Sequence, residues 1–496
     1  MATYLSPGVY VEEKPSEIKP IAGVGTSTAG FIGFFEDDIK IPKPNPKYDP
    51  TKEIVPSRPQ PAIEPLRGEI TKIEGTVFTV KDSVSGTEFS SDATADVEAN
   101  LRLRNKIEYT LNAEKTALAT IKRPSPAASV PPLGSVDGNE PFFLESFKPR
   151  PAGEVVLCTN FTEFRDAFGD FSTDPGQSKL AHGVYGFFHN GGSRAWVARE
   201  KDTLQIKHAL EKFEGIDEIA LVVAPGVCDQ ASQVAILEHC ENLEERFAIL
   251  DTPEDVGGEH ETPDPKKLTG EGGKKEVPRD SNYGAVYFPW IEVVDPAKKI
   301  KKPQESGRTY IGPSGHIAGI YARVDEERGV HKAPANEIVR GALDLRYYIS
   351  KAHQEGLNPL GVNCIRDING AIRVWGARTI GGDRQYEWKY INIRRTFLYL
   401  KESIDEATQW VVFEPNDRML WGKIVRNVSA FLSNVWRDGA LFGSTAQEAF
   451  YVKCDDETNP PSIREQGRVV TEIGVALTRP AEFVIFRVSQ WGGPQK

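Results

Sequence analysis

The sequence predicts a multidomain chain of mixed α/β and α+β type: an α/β core carrying a small inserted β-rich module, followed by an α+β unit. Three patterns predict it. Short apolar runs alternate with helix-length segments between residues 155 and 288, two proline-rich stretches bracket a β-patterned segment before residue 150, and two long amphipathic segments precede apolar strand-like runs after residue 390. A length of 496 residues suits about three domains of roughly 150 residues.

Composition narrows the function classes. Hydrophobic residues at 39% can fill a sizeable core, so the chain is not a disordered polymer. The 71 acidic residues exceed the 60 basic ones, which opposes a broad nucleic-acid surface. No apolar run approaches the roughly 18 residues of a membrane span. The opening MATYLSPGVYVEEK lacks a basic segment followed by an apolar one, so no secretory leader is expected. Cys158, Cys228, Cys240, Cys364 and Cys454 are scattered and odd in number, which predicts buried thiols in a reducing compartment.

In chain order, Val9 and Val11 alternate with Tyr10 and Glu12 between Pro7 and Pro15. That pattern is an extended arm with no local strand partner, and such a strand either frays or pairs elsewhere, including on another subunit. Gly23 to Phe35 reads as a small-residue turn running into an apolar strand. Ile41 to Pro65 holds eight prolines and predicts a polyproline-like linker. Gly75 to Val80 is strand-like, and Leu101, Leu103, Ile107, Tyr109 and Leu111 keep a two-residue period. A second Pro/Ser/Gly stretch, Pro124 to Pro141, closes this module.

The runs at 155–158, 195–198, 219–224, 247–250 and 285–288 read as buried parallel strands. Segments 161–168, 178–189, 203–213 and 230–245 between them read as helices covering the sheet. Thr252–Ser281 and the lysine-bearing Pro296–Ser306 are expected to be loops. Residues 392–408 and 417–437 read as long helices, the second with Leu420, Ile424, Val428, Phe431, Leu432 and Val435 on one stripe. Ala449–Cys454 and Glu482–Ser489 read as strands. Residues 371–496 hold 17 basic against 15 acidic residues, so the α+β unit is the positive end of an acidic chain.

No catalytic constellation stands out. There is no phosphate-binding G-x-x-x-x-G-K-[ST], Gly23-Val-Gly25 lacks the rest of a dinucleotide fingerprint, and His182 and His189 have no ligand partners at metal spacing, so neither a cofactor nor a metal is expected. His239 and Cys240 point about 100° apart on a helix and suit core packing. The alternative function is a subtilisin-like serine hydrolase, with His182 and Ser314 of the Gly312–Gly319 segment as its pair. It lacks an orienting Asp-Ser-Gly or Asp-Thr-Gly before the histidine, Pro313 and Gly315 replace the residues expected beside the nucleophile, and it is disfavoured. A Gly/Pro turn at Ser314 and a packed helix at His182 are the simpler reading.

The segment from Gly312 to Asn336 (GPSGHIAGIYARVDEERGVHKAPAN) is similar to the signature region of contractile tail sheath proteins, which build the sheaths of contractile phages, R-type pyocins and extracellular contractile injection systems. Ser6–Glu13 (SPGVYVEE), Phe187–Val197 (FFHNGGSRAWV), Ile365–Gly382 (IRDINGAIRVWGARTIGG), Trp410–Asn416 (WVVFEPN) and Ala481–Phe486 (AEFVIF) agree in order. The resemblance covers residues 1–36 and 150–494 and leaves 37–149 as a departure.

It implies a non-enzymatic structural subunit without cofactors. The implied organisation is an N-terminal linking arm (1–20), a subtilisin-like α/β domain (21–40 and 150–362), the inserted β-rich module (41–149), a tube-facing C-terminal α+β domain (363–480) and a C-terminal linking strand (481–496). Val9, Tyr10 and Val11, with Phe483, Val484, Ile485 and Phe486, are the implied inter-subunit strands, and Lys423 and Arg426 the candidate tube-facing cations. The implied partners are further copies in stacked hexameric rings, an inner tube protein, and baseplate and cap proteins, with no nucleic acid and no membrane insertion. Assembly would take place in the bacterial cytoplasm, into a phage tail or an injection particle that can be released.

Overall fold

Alternating side chains split the large sheet into two apolar faces, and each face recruits its own helices. The computed structural model describes residues 21–48, 66–74, 77–82, 87–97, 106–111, 118–122, 140–256, 268 and 277–486. They fall into two units, one drawn from residues 1–43 and 144–496, the other from 44–143.

The sheet of the larger unit has eight strands: β1 (Ala29–Phe34), β2 (Val155–Cys158), β3 (Ala195–Glu200), β4 (Leu221–Val223), β5 (Phe247–Asp251), β6 (Gly284–Phe288), β7 (Val362–Ile368) and β8 (Ala371–Val374), in the order β8-β7-β6-β5-β4-β1-β3-β2. Six strands from β3 to β7 run parallel. β2 and β8 are antiparallel edges. Val155–Cys158 is therefore not the parallel strand its apolar run suggests, because a run of four residues records burial and not direction. Since β7 and β8 belong to this sheet, the α/β core extends past the boundary at residue 362 read from the sequence.

Phe31, Leu221, Val223, Phe247, Ile249, Ala285 and Tyr287 face one core, and their neighbours Ile32, Val222, Ala248, Leu250, Val286 and Phe288 face the other. The first face is covered by α1 (Phe161–Phe168), α2 (Pro175–Asn190) and α6 (Ser314–Arg328), the second by α3 (Ile206–Glu214) and α4 (Gln230–Leu243). Burial on both faces explains why the strands read as unbroken apolar runs. Asn160, Asp174 and Asp229 cap α1, α2 and α4 with their side chains, and Gly191 ends α2 in the left-handed region. Cys158, Cys240, Cys364 and Cys454 are buried thiols and Cys228 is half-buried.

Several expected loops are ordered differently. Pro296–Lys301 is a short helix, α5, because Asp295 accepts from the amides of Ala297 and Lys298, Pro296 opens the first turn, and the lysines lie at the favourable carboxyl end. Of the segment 252–281 expected to be exposed, Thr252, Val256, Leu268, Val277 and Ser281 are buried. The amide of Val256 donates to the hydroxyl of Tyr347, and the Trp290 indole donates to the carbonyl of Thr252. Ser314 does not lie in a turn but begins α6. Within the expected linker 41–65, Ile39–Pro44 forms a strand pairing with Phe142–Phe147, an edge ladder that tolerates proline. Of the expected strand Glu482–Ser489, residues 482–486 pair with no strand among the described residues and 487–489 lie outside them.

After α7 (Lys351–Leu357), the long helices α8 (Ile391–Thr408) and α9 (Arg418–Arg437) enclose a third core containing Leu400, Trp421 and the predicted α9 stripe. The antiparallel pair Phe450–Lys453 and Glu472–Val475 packs on it.

In the smaller unit, Leu66–Glu74, Val77–Asp82, Glu88–Val97, Lys106–Leu111 and Leu118–Lys122 close a barrel. The first strand pairs with the second, through a register shift near Ile70, and also with the fourth, while the third and fifth are parallel. That is OB-fold connectivity. Val80 is fully buried within the barrel.

Candidate assembly site at the two chain ends

Both described ends of the larger unit are fastened by arginine–carboxylate pairs, buried at the N-terminal end and partly buried at the C-terminal end. At the C-terminal end, Arg378 directs its fork at Glu482, with Nε 2.7 Å from Oε1 and Nη2 2.8 Å from Oε2. Asn358 Nδ2 donates to Glu482 Oε1 at 2.8 Å and the Tyr390 hydroxyl donates to Oε2 at 2.9 Å. The remaining arginine nitrogen, Nη1, donates to the Asn358 carbonyl and to Asp383. Burial opposes the charge on Glu482, but these donors outweigh it and hold the carboxyl below its ordinary range. Burial and the facing carboxylate push the Tyr390 hydroxyl up to about 12. Gly361, at φ +80, brings the chain against the Thr379 carbonyl so closely that a Cβ would collide. Immediately beyond Glu482, Phe483, Val484, Ile485 and Phe486 are each 68–85% exposed.

At the N-terminal end, Arg395 donates to Asp325 through Nη1 (2.9 Å) and Nη2 (2.6 Å), both side chains being buried. Thr26 joins this pair twice: its hydroxyl donates to Asp325 Oδ2 at 2.6 Å, and its carbonyl accepts from Arg395 at 2.9 Å. The Val24 amide donates to Ser403 Oγ at 3.1 Å, and Gly23 lies where any Cβ would strike the Tyr399 ring. Val9, Tyr10 and Val11 lie outside the described residues. Of the two candidate cations on α9, Arg426 is exposed and Lys423 half-buried, and neither is ion-paired among the described residues.

Beneath the N-terminal root, Glu402 of α8 faces Glu245 near Thr26 and Arg395. Burial, then repulsion from Glu245 and Glu406, raises its carboxyl to about 7. Its folded value exceeds the unfolded one, so ionisation costs stability at high pH and the cost disappears as pH falls through 7 toward 4.5. Glu402→Gln is expected to raise unfolding free energy by about 1–2 kcal/mol at pH 8, after solvent screening, and to change little at pH 4.5. Denaturant titrations at both pH values check this, and equal gains at both would contradict it.

The residues of the hydrolase alternative are not arranged for attack. The fully buried Ser314 hydroxyl donates to Asp251 Oδ2 at 2.6 Å, and the Ser314 amide donates to Oδ1 at 2.8 Å. Asp251 also accepts from the Gly226 amide, and burial raises its carboxyl to about 6. It ties the start of α6 to the sheet. His182 is buried with Nε2 unbonded and 4.0 Å from Asp295, and burial lowers it to about 4. Among the described residues no group of three His, Cys, Asp or Glu side chains could hold a metal, and no helix is long and apolar enough to cross a membrane.

The Gly312–Gly319 segment serves the packing of α2 on α6. A Cβ on Gly315 would stand under 3.0 Å from the Gly183 backbone, one on Gly319 equally close to the Phe187 carbonyl, and one on Gly186 against His316. Two helices crossing this closely need glycine on both surfaces.

Two family models match in succession, the phage tail sheath protein central domain over residues 200–380 and the phage tail sheath C-terminal domain over 383–490. The chain belongs to the tail sheath family. Among curated relatives, it is 24% identical to a putative prophage major tail sheath protein of Pseudomonas aeruginosa (strain UCBPP-PA14), over 55% of this chain and 65% of that protein. It is also 24% identical to the tail sheath protein of Burkholderia phage BcepMu, over 60% and 59%. A match of 27% identity to the tail sheath protein of Vibrio phage KVP40 covers 34% of this chain and 25% of the relative, so the matched part is less than two thirds of these proteins' length.

The fold is shared with the sheath of an extracellular contractile injection system, PVC, in its contracted state (TM-score 0.61, 21% identity, 99% of both chains). It is shared equally with the contracted helical sheath of the anti-feeding prophage (TM-score 0.59, 22% identity, 98% and 100%). The chain thus has the mixed α/β multidomain fold of sheath structures. The sequence resemblance located the segments bearing Arg378 and Glu482, but not the pairing between them. Nothing in the spacing of Thr26, Asp325 and Arg395 announces their cluster.

Proposed function

We propose that the chain is the structural subunit of a contractile sheath. It polymerises helically, in stacked hexameric rings, around an inner tube and contracts to drive that tube through a target envelope. The work comes from stored conformational energy and not from nucleotide hydrolysis, and the subunit is not an enzyme. A few kcal/mol separating two packings of each subunit would sum along a long polymer. Baseplate and cap proteins would end the polymer, and assembly would occur in the bacterial cytoplasm before any release of the particle.

The observation that carries this reading, beside family membership, is the Phe483–Phe486 segment. Four consecutive apolar residues stand in solvent directly after a partly buried clamp. A chain that only had to remain monomeric gains nothing by fixing and then exposing such a segment; β-augmentation on a second copy would bury it and satisfy its backbone. The sheet of Phe450–Lys453 and Glu472–Val475, two strands with an outer edge each, is the receiving surface we assign. The N-terminal arm through Val9, Tyr10 and Val11 would add from another copy. In this reading the α/β unit, residues 21–40 and 150–374, forms a subtilisin-like domain, and the α+β unit faces the tube through Lys423 and Arg426.

Negative-stain electron microscopy of the purified protein is expected to show tubular polymers. Deleting residues 1–14 should leave folded, soluble subunits that no longer polymerise. A monodisperse monomer with esterase activity lost on changing Ser314 would overturn the proposal.

A further inference from the structure

One helix grips both described ends of the larger unit. Asn392, Arg395, Tyr399 and Ser403 follow one another at steps of three, four and four residues, which places them on one face of α8. Arg395, Tyr399 and Ser403 hold Thr26, Gly23 and Val24 at the N-terminal root. Asn392, also buried, donates to the Thr478 carbonyl at 3.3 Å and the His331 carbonyl at 2.8 Å. Tyr390, which immediately precedes α8, donates to Glu482. Between these contacts Arg394 lies over Tyr283 and Trp388, with its guanidinium carbon 3.8 and 4.8 Å from the ring centres, pinning the same turn to the neighbouring segments. The C-terminal root is thus bonded to Tyr390 and Asn392 and the N-terminal root to Arg395, Tyr399 and Ser403, all on or at the start of one continuous hydrogen-bonded helix.

From this we infer that α8 couples the two arms: the residues Tyr390, Asn392, Arg395 and Ser403 position both roots together, so that loosening one root loosens the other. Backbone hydrogen bonds join successive turns of a helix, so an axial shift of the backbone at one of these residues carries the others with it, and the arginine at each root donates two charge-assisted bonds to one carboxylate. The inference rests on reading the termini as linking arms. In a mesh so connected, a pull on the arm beyond Glu482 would reach residues 23–26 of the same subunit through a rigid rod, and neighbouring subunits would be linked arm to arm without deforming the α/β sheet.

The test is amide hydrogen exchange on the full chain as soluble subunits, before any assembly, so that its outcome does not depend on whether the protein forms a sheath. Glu482→Gln weakens the C-terminal clamp and touches nothing at the N-terminal root. It is expected to raise exchange of the Val24 amide about 5–10-fold, within the range of ordinary coupling between sites. Thr26→Val removes only the hydroxyl bond to Asp325. By reciprocity it should raise exchange of the Thr478 amide, which donates to Ala440, by a similar factor. Unchanged exchange in β5 and β6 reports that the sheet is intact. If each substitution speeds exchange only at its own root while the sheet stays protected, the coupling is overturned. A lack of tubes by electron microscopy together with reciprocal exchange would reject the sheath function and leave the coupling standing.

Discussion

Replacing Arg378 by methionine is expected to cost about 3–5 kcal/mol of unfolding free energy, because it leaves the Glu482 carboxylate partly buried without its cation. The side chain of Arg378 is almost wholly enclosed and serves three acceptors, Glu482, Asp383 and the Asn358 carbonyl, so the change also strands polar groups. The double variant Arg378→Met, Glu482→Met removes both charges and should regain a large part of the loss, which is the signature of a pair in a double-mutant cycle. The single variant should also be cut faster by chymotrypsin at Phe483 and Phe486, since the clamp that restrains the segment is gone. Denaturant unfolding of the two variants beside the parent gives the energies. Additive losses in the double variant, or an unchanged cleavage rate, would remove the clamp from its assigned role.

Substituting Gly319 by alanine is the second large effect. The added methyl would meet the Phe187 carbonyl and the Asn190 Cβ under 3.0 Å, and backbone contact leaves α2 and α6 no cheap way to part. Overpacking of this kind costs about 1–3 kcal/mol, and contact with backbone in place of a flexible side chain puts the expectation at the upper end. Gly422→Ala is the matched control. Gly422 lies inside α9, and the methyl of an alanine there would have no atom within 4 Å, so the change should stabilise by about 0.5–1 kcal/mol through helix propensity alone. Thermal melts of the pair should move in opposite directions. A Gly319 variant as stable as the parent would mean that the helix crossing is not set by glycine.

What could be read in the sequence was whatever depends on local periodicity. The four helices between residues 161 and 243 and the two long ones after 390 stand at or within a few residues of their predicted positions, because an apolar stripe at helical spacing is imposed by burial on one side. The strands at 195–200, 247–251 and 284–288 were equally plain. The helix at 296–301 was hidden by its lysines and proline, although Asp295 is an ordinary capping residue. Family membership was legible through ordered motifs. The reason those motifs are spaced as they are was not: Gly312–Gly319 resembles a nucleophile loop until the opposing glycines of α2 are seen across from it.

The sequence by itself therefore determined the α/β and α+β character of the chain, the absence of a familiar catalytic signature, and the tail sheath family. Only the tertiary structure decided that Arg378 meets Glu482, that Arg395 and Asp325 hold Thr26, and that α8 carries both roots. The partners in these clusters are separated by 104, 70 and 299 residues. Helices and strands follow from periods of a few residues that a single chain displays along its length. Buried charge pairs follow from which surfaces the folded sheet and helices bring together, and one partner is no more conspicuous in the sequence than any other arginine or glutamate.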